Sequence, residues 1–280
     1  MDDARAAALD ILKWYREAGV DEAVSDEPCD WARLGVPAVI EIAVEAEPEI
    51  GETFRPERAP APPQPIARAN PTLPLDGAAF AARELARSAP DLAALEAALA
   101  AFDGCPLKKT AKNLCMARGN PNARIMLIGE APGRDEDLEG KPFVGRAGQL
   151  LNKMLIAIGL TDADVYITNT VYWRPPGNRT PTPQEVQACQ PFLDRQIELV
   201  APDIMVLLGG AAAKQVLATE EGIMKLRGKW RSYQSGERSI RTMATLHPAF
   251  LLRTPAAKRQ AWRDLLLIKA ALEEGKTAGS

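Results

Sequence analysis

One histidine and four cysteines are all that this chain of 280 residues offers to the commonest metal-binding and redox chemistries. The cysteines (Cys29, Cys105, Cys115 and Cys189) are too few and too scattered for the disulfide framework of a small secreted domain. They predict a compartment where thiols stay reduced, and so a cytoplasmic protein. No apolar run approaches the roughly 20 residues that a membrane-spanning helix requires. Met1 to Arg5 is acidic and lacks a signal-peptide pattern. His-x-Glu and Pro-Cys-x-x-Cys are both missing, which excludes a zinc-dependent deaminase. No glycine-rich loop ends in Lys-Ser or Lys-Thr, and none carries the third glycine of a dinucleotide fingerprint.

With 46% hydrophobic and 25% charged residues, the chain can build one sizeable domain plus an appendage. The net charge of −3 is unevenly spread. Residues 1–75 carry 15 acidic against 7 basic side chains, a balance of −8, and leave the remainder at +5. That mildly basic remainder permits phosphate contacts without requiring them. The organisation follows the same division. An acidic appendage over 1–50 contains an amphipathic helix at 3–18 with Leu9, Ile11, Leu12 and Tyr15 on its stripe. A proline-rich linker follows over 51–75. The catalytic unit is expected over 76–280.

Within that unit two alanine-rich helices over 76–101 precede an alternation of apolar runs and helical stretches. Strands are predicted at Arg124–Gly129, Val165–Asn169, Ile204–Gly209 and Ile240–Leu246. Helices are predicted at Gly148–Ile158, Gln184–Val200, Ala211–Leu217 and Pro255–Leu272. Unbroken apolar strands separated by helices indicate a parallel sheet covered on both faces. Ligands of such sheets bind in the loops after the carboxyl ends of the strands.

Those loops hold the unusual residues. The first strand runs into Gly129-Glu130-Ala131-Pro132-Gly133-Arg134-Asp135-Glu136-Asp137, whose four carboxylates disfavour a triphosphate. Next comes Lys141-Pro142-Phe143-Val144-Gly145, where Phe143 is either a stacking platform for a base or an apolar plug. The second strand ends at Asn169, a carboxamide suited to reading a base edge or to capping its loop. Arg174-Pro175-Pro176-Gly177-Asn178-Arg179 follows it. The last strand ends at His247-Pro248-Ala249-Phe250-Leu251-Leu252-Arg253, which holds the single histidine.

From about Cys105 to Ala270 these motifs, in this order and spacing, resemble the family-four uracil-DNA glycosylases and their relatives. The resemblance implies a three-layer α/β/α sandwich around a four-stranded parallel sheet, acting as a monomer on uracil-containing DNA. It places Glu130 and Glu136 as the acids that orient water and stabilise charge, and His247 as a donor to uracil O2. Phe143 and Asn169 fall at the uracil-stacking and edge-reading positions, with Gly129 and Ala131 in the binding loop. Leu251 falls at the wedge that fills the gap left by a flipped nucleotide, and Arg179 and Arg253 are expected on DNA. Tyr166 is expected in the core. The appendage suggests a protein partner of its own.

The resemblance also implies a four-cysteine iron–sulfur cluster, and here the chain departs from the family. Cys105 and Cys189 match two ligand positions, but Lys108 and Trp173 occupy the other two. Cys115 can complete a site only along a different loop path. The expectation is therefore an enzyme without a cofactor or metal. A branch that bonds covalently to DNA through a second histidine is excluded by the single His247. Two other readings stay open: a non-catalytic DNA-binding module like the domain attached to phage-type polymerases, and a different α/β hydrolase acting on free nucleotides.

Overall fold

A computed structural model describes residues 75–277. The helix expected at 3–18 and, apart from Leu75, the appendage and linker expected over 1–75 lie outside the described residues. The centre is a parallel sheet made of β2 (Ile125–Gly129), β3 (Val165–Asn169), β4 (Ile204–Leu208) and β6 (Arg238–Thr245), with β3 and β4 on either side of β2. All residues of β2, β3 and β4 are buried, which is why their sequences are unbroken rather than alternating.

The four expected strands are present, and two more close the edges antiparallel: β1 (Ala117–Gly119) beside β3 and β5 (Trp230–Ser235) beside β6. Both were missed for a physical reason. β1 is three residues long, and β5 reads Trp-Arg-Ser-Tyr-Gln-Ser with no fully buried position. A two-residue turn led by Gly236 at φ 58° joins β5 to β6, which therefore starts earlier than expected, at Arg238.

The helices are α1 (Leu75–Ser88), α2 (Leu92–Ala101), α3 (Arg134–Glu139), α4 (Arg146–Ala157), α5 (Pro183–Val200), α6 (Gly210–Val216), α7 (Ile223–Leu226), α8 (Pro248–Arg253) and α9 (Lys258–Thr277). Alternate strand residues feed opposite layers. Ile125, Leu127, Ile167, Val206 and Leu208 pack with Leu151, Leu155, Leu265 and Ile268 of α4 and α9. Met126, Ile128, Met205 and Leu207 pack with Leu193, Ile197, Ala213 and Val216 of α5 and α6. The outer side of α5 is covered by α1 and α2, with Phe192 and Cys189 against Leu95, Leu99 and Phe102. Tyr166 is buried as expected, and its hydroxyl accepts from Gln196 Nε2 at 2.8 Å. None of the described helices is long and apolar enough to cross a membrane.

One largely buried ion pair ties Arg227, just after α7, to α9, and a hydrogen bond adds the end of β6. The Asp264 carboxylate accepts from Arg227 Nη2 at 2.7 Å and from Thr245 Oγ1 at 2.7 Å, with the Asp264 side chain 2% exposed. Removing one partner of such a pair leaves the other charge buried without compensation. Asp264→Ala is expected to lower unfolding stability by about 3–5 kcal/mol, read as a shift in the urea midpoint. A shift below about 1 kcal/mol, the size of an exposed pair, would show that solvent reaches the pair.

Candidate active site

The carboxyl ends of β2, β3 and β6 bring their loops around a cavity of about 450 Å³, within the usual range for small-molecule sites. Gly129 pairs with Asn169 across the β2–β3 ladder. A Cβ on Gly129 would strike both Asn169 Oδ1 and the Phe143 ring, so the glycine allows these two side chains to meet. Gly129 itself stands behind the wall, while Glu130, Ala131, Phe143, Asn169 and His247 line the cavity.

Phe143 is held by its backbone. Its φ is 57°, a left-handed conformation that costs an ordinary residue about 1–2 kcal/mol. The Gly148 backbone approaches the Phe143 carbonyl too closely for any Cβ. The ring is 5% exposed and lies 5.7 Å, centroid to centroid, from the His247 imidazole at 32°. It is therefore buried and cavity-facing at once.

Asn169 is 1% exposed, and its Oδ1 finds no hydrogen-bond partner within the described residues. Such an orphaned acceptor costs about 1–3 kcal/mol unless a ligand satisfies it. On a cavity-lining residue such an acceptor calls for a hydrogen-bond donor.

His247 ends the loop after β6 and caps α8. Its Nδ1 accepts from the Ala249 N–H at 3.1 Å, which leaves Nε2 as the protonated nitrogen. Burial, reinforced by Arg253, pushes its pKa down to about 4. At neutral pH it is thus an uncharged donor. Gly209, at φ 95°, gives it room: a Cβ there would come within 2.9 Å of His247 Cβ.

The four acids of the first loop have separate tasks. Glu136 Oε2 accepts from Gly133 N at 3.1 Å and Oε1 from Gly145 N at 2.9 Å, clamping two loops together from the first turn of α3. Asp137 Oδ1 accepts from Lys112 N at 2.7 Å and Asn113 N at 3.2 Å. Asp135 is exposed. Among the described residues Glu130 has no ion-pair partner; burial raises its pKa, while a hydrogen bond with Thr180 acts in the opposite direction. Thr180, which sequence reasoning missed, lines the same cavity.

The expected DNA contacts fare differently. Arg253 is exposed at the cavity rim. Arg179 also lines the rim, but its guanidinium grips Glu185 bidentately at 2.6 and 2.8 Å, so it braces the loop before α5. Leu251 is corrected. It is 1% exposed and packs in the core, because His-Pro-Ala-Phe-Leu-Leu-Arg coils into α8 with Leu251 on its inner side. The exposed apolar side chains of that helix are Phe250 and Leu252, and Phe250 lines the cavity.

Residues 116–266 match the family described as the Uracil DNA glycosylase superfamily. The chain belongs to this superfamily. It is 43% identical to a type-4 uracil-DNA glycosylase of Archaeoglobus fulgidus over 57% of this chain and 82% of that protein. It is 45% identical to one of Thermotoga maritima, over 53% of this chain and 77% of that one. A type-4 enzyme of Saccharolobus solfataricus is 43% identical over 60% and 80%.

The side chains do not fit the four-thiolate cluster implied by the resemblance. Cys105 and Cys189 are fully buried with sulfurs 3.9 Å apart. The hydrogen bond Cys189 donates to Cys105, together with burial, pushes the Cys189 thiol up. Lys108 turns to Ala100 O and Asp103, both at 2.6 Å. Trp173 is buried with Cys105 and Cys189 in one apolar cluster. Cys115 lies outside that cluster: its thiol donates to Glu136 O at 3.1 Å, and burial with nearby Asp137 and Glu136 pushes its pKa up to about 12. Among the described residues no group of three His, Cys, Asp or Glu side chains is arranged to hold a metal ion.

Proposed function

We propose that this protein hydrolyses the N-glycosidic bond of uracil in DNA and leaves an abasic site. The observation that carries the proposal is the orphaned Oδ1 of Asn169, a residue that lines a cavity together with Phe143 and His247. Uracil N3–H supplies the missing donor, and the other end of the carboxamide donates to uracil O4. To enter the cavity the nucleotide must leave the stack, at a cost of a few kcal/mol. Phe143 offers its base a face worth roughly 1–3 kcal/mol.

As the bond breaks, the sugar becomes cation-like and the departing uracil becomes an anion. His247 Nε2–H, neutral and fixed by the Nδ1 contact, donates to the developing charge on uracil O2 without transferring its proton. Backbone N–H groups of the Gly129–Gly133 loop assist. Glu130 faces the sugar, stabilises its positive charge and orients the attacking water. Glu136, already engaged by two backbone donors, is a positioning residue. Arg253 meets phosphate at the rim. The small number and wide scatter of the four cysteines support a reducing, cytoplasmic setting.

The test is incubation of purified protein with a uracil-containing oligonucleotide followed by alkaline cleavage. Free uracil and an alkali-labile site are expected, in a colourless protein and with chelator present. No product would overturn the activity. Loss of product on iron chelation, or a brown protein, would overturn the metal-free chemistry.

A further inference from the structure

Away from the cavity, α4 and α9 leave an apolar groove of about 220 Å³ whose floor includes Met154, Leu251 and Leu265. Its wall is Trp262, 42% exposed, and Leu266, one turn further along α9, is 44% exposed. The surroundings are strongly basic. Arg146 and Lys153 stand on α4, Arg253 on α8, and Lys258, Arg259 and Arg263 on the first turns of α9, all exposed. None of the six is ion-paired among the described residues. No acid lies on α4; of the acids of α9, Asp264 is buried against Arg227, and Glu273 and Glu274 stand about three turns beyond Trp262.

The occupant must therefore offer negative charge at the margins and a flat apolar face to Trp262. A nucleic-acid strand has both, in its phosphates and its bases. Continuity favours the same partner: α8 contributes Leu251 to this groove and Phe250 and Arg253 to the active-site cavity. We infer that the DNA strand flanking the excised nucleotide crosses α8 and runs onto α9, its phosphates against Lys153, Lys258 and the neighbouring arginines, and one base stacked on Trp262. This rests on the uracil-DNA reading above and adds a binding surface beyond the pocket.

The experiment measures KM for a uracil-containing single strand and Kd for a labelled uracil-free strand across a salt series. Trp262→Ala is expected to raise both by about tenfold, with a smaller change in kcat, and Trp262→Phe to recover most of the loss. The double variant Lys153→Glu/Lys258→Glu is expected to flatten the slope of log Kd against log salt by about 0.7 per lost phosphate contact. Trimming the flank on one side of the uracil should raise KM for the parent and not for Trp262→Ala. Folded variants with parental KM, Kd and salt slope would overturn the inference, and would hand this face to an acidic protein segment. If the parent excises uracil while the variants bind as it does, the surface inference alone fails. If the parent excises nothing but the variants lose Kd, the activity reading fails and the surface stands.

Discussion

Replacing His247 with alanine is expected to lower kcat by about 10²–10³, the usual loss when a single donor to a developing oxyanion is removed. The size follows from when the interaction forms. Uracil O2 is a modest acceptor in the bound nucleotide and a strong one as the glycosidic bond opens, so the donor acts on the barrier more than on binding. His247→Gln, which keeps an N–H group on a side chain of similar reach, is expected to recover part of the rate. The pH profile separates this role from acid catalysis. With its pKa near 4, the imidazole contributes no ionisation between about pH 5 and 8. Glu130 must be ionised to stabilise the sugar, and burial raises its pKa above the ordinary 4.5. Activity is therefore present above the Glu130 pKa and lost as pH falls through it, at a higher pH than a free carboxylate would give. A limb near pH 6.5 in the parent that vanishes in His247→Gln would mean that the histidine titrates during turnover, against the donor role.

Asn169→Asp is expected to cut uracil kcat/KM by at least about 10², because it removes the donor to O4 and sets a carboxylate against that oxygen. The shape is kept and the hydrogen-bond pattern changed, so the loss reads edge recognition rather than packing. Cytosine presents an amino donor at C4 and an unprotonated N3, and the variant is expected to gain at most weak activity on it. Phe143→Ala supplies the contrast: stacking does not read hydrogen-bond pattern, so it should weaken uracil and any other excised base by similar factors. Equal uracil excision by a folded Asn169→Asp and the parent would end the edge-reading assignment.

The residues that line the cavity were legible in the sequence because of where the strands end. Strands buried on both faces have to be continuously apolar, so Ile125–Gly129 and Val165–Asn169 stand out, and a parallel sheet presents the residues after them on one edge. Glu130, Asn169 and His247 could be placed together on that ground, and the coordinated motifs carried the family with them. The roles within the site were another matter. Glu136 and Asp137 look like Glu130 in the sequence, yet their oxygens hold the backbone of Gly145 and of Lys112–Asn113, partners from other loops. Leu251 and Phe250 are adjacent and both apolar. Only the phase of α8, set by the His247 cap and by the packing of Leu251 into the core, turns one inward and the other to the rim. The contact of Thr180 with Glu130 and the face shared by Lys153 and Trp262 likewise join segments distant in the chain. The sequence alone determined which loops carry the chemistry, since strand burial and local spacing are encoded residue by residue. Which side chains in those loops face the substrate, and which are occupied in holding the loops, was decided only by tertiary packing, because hydrogen-bond partners are assigned across the fold.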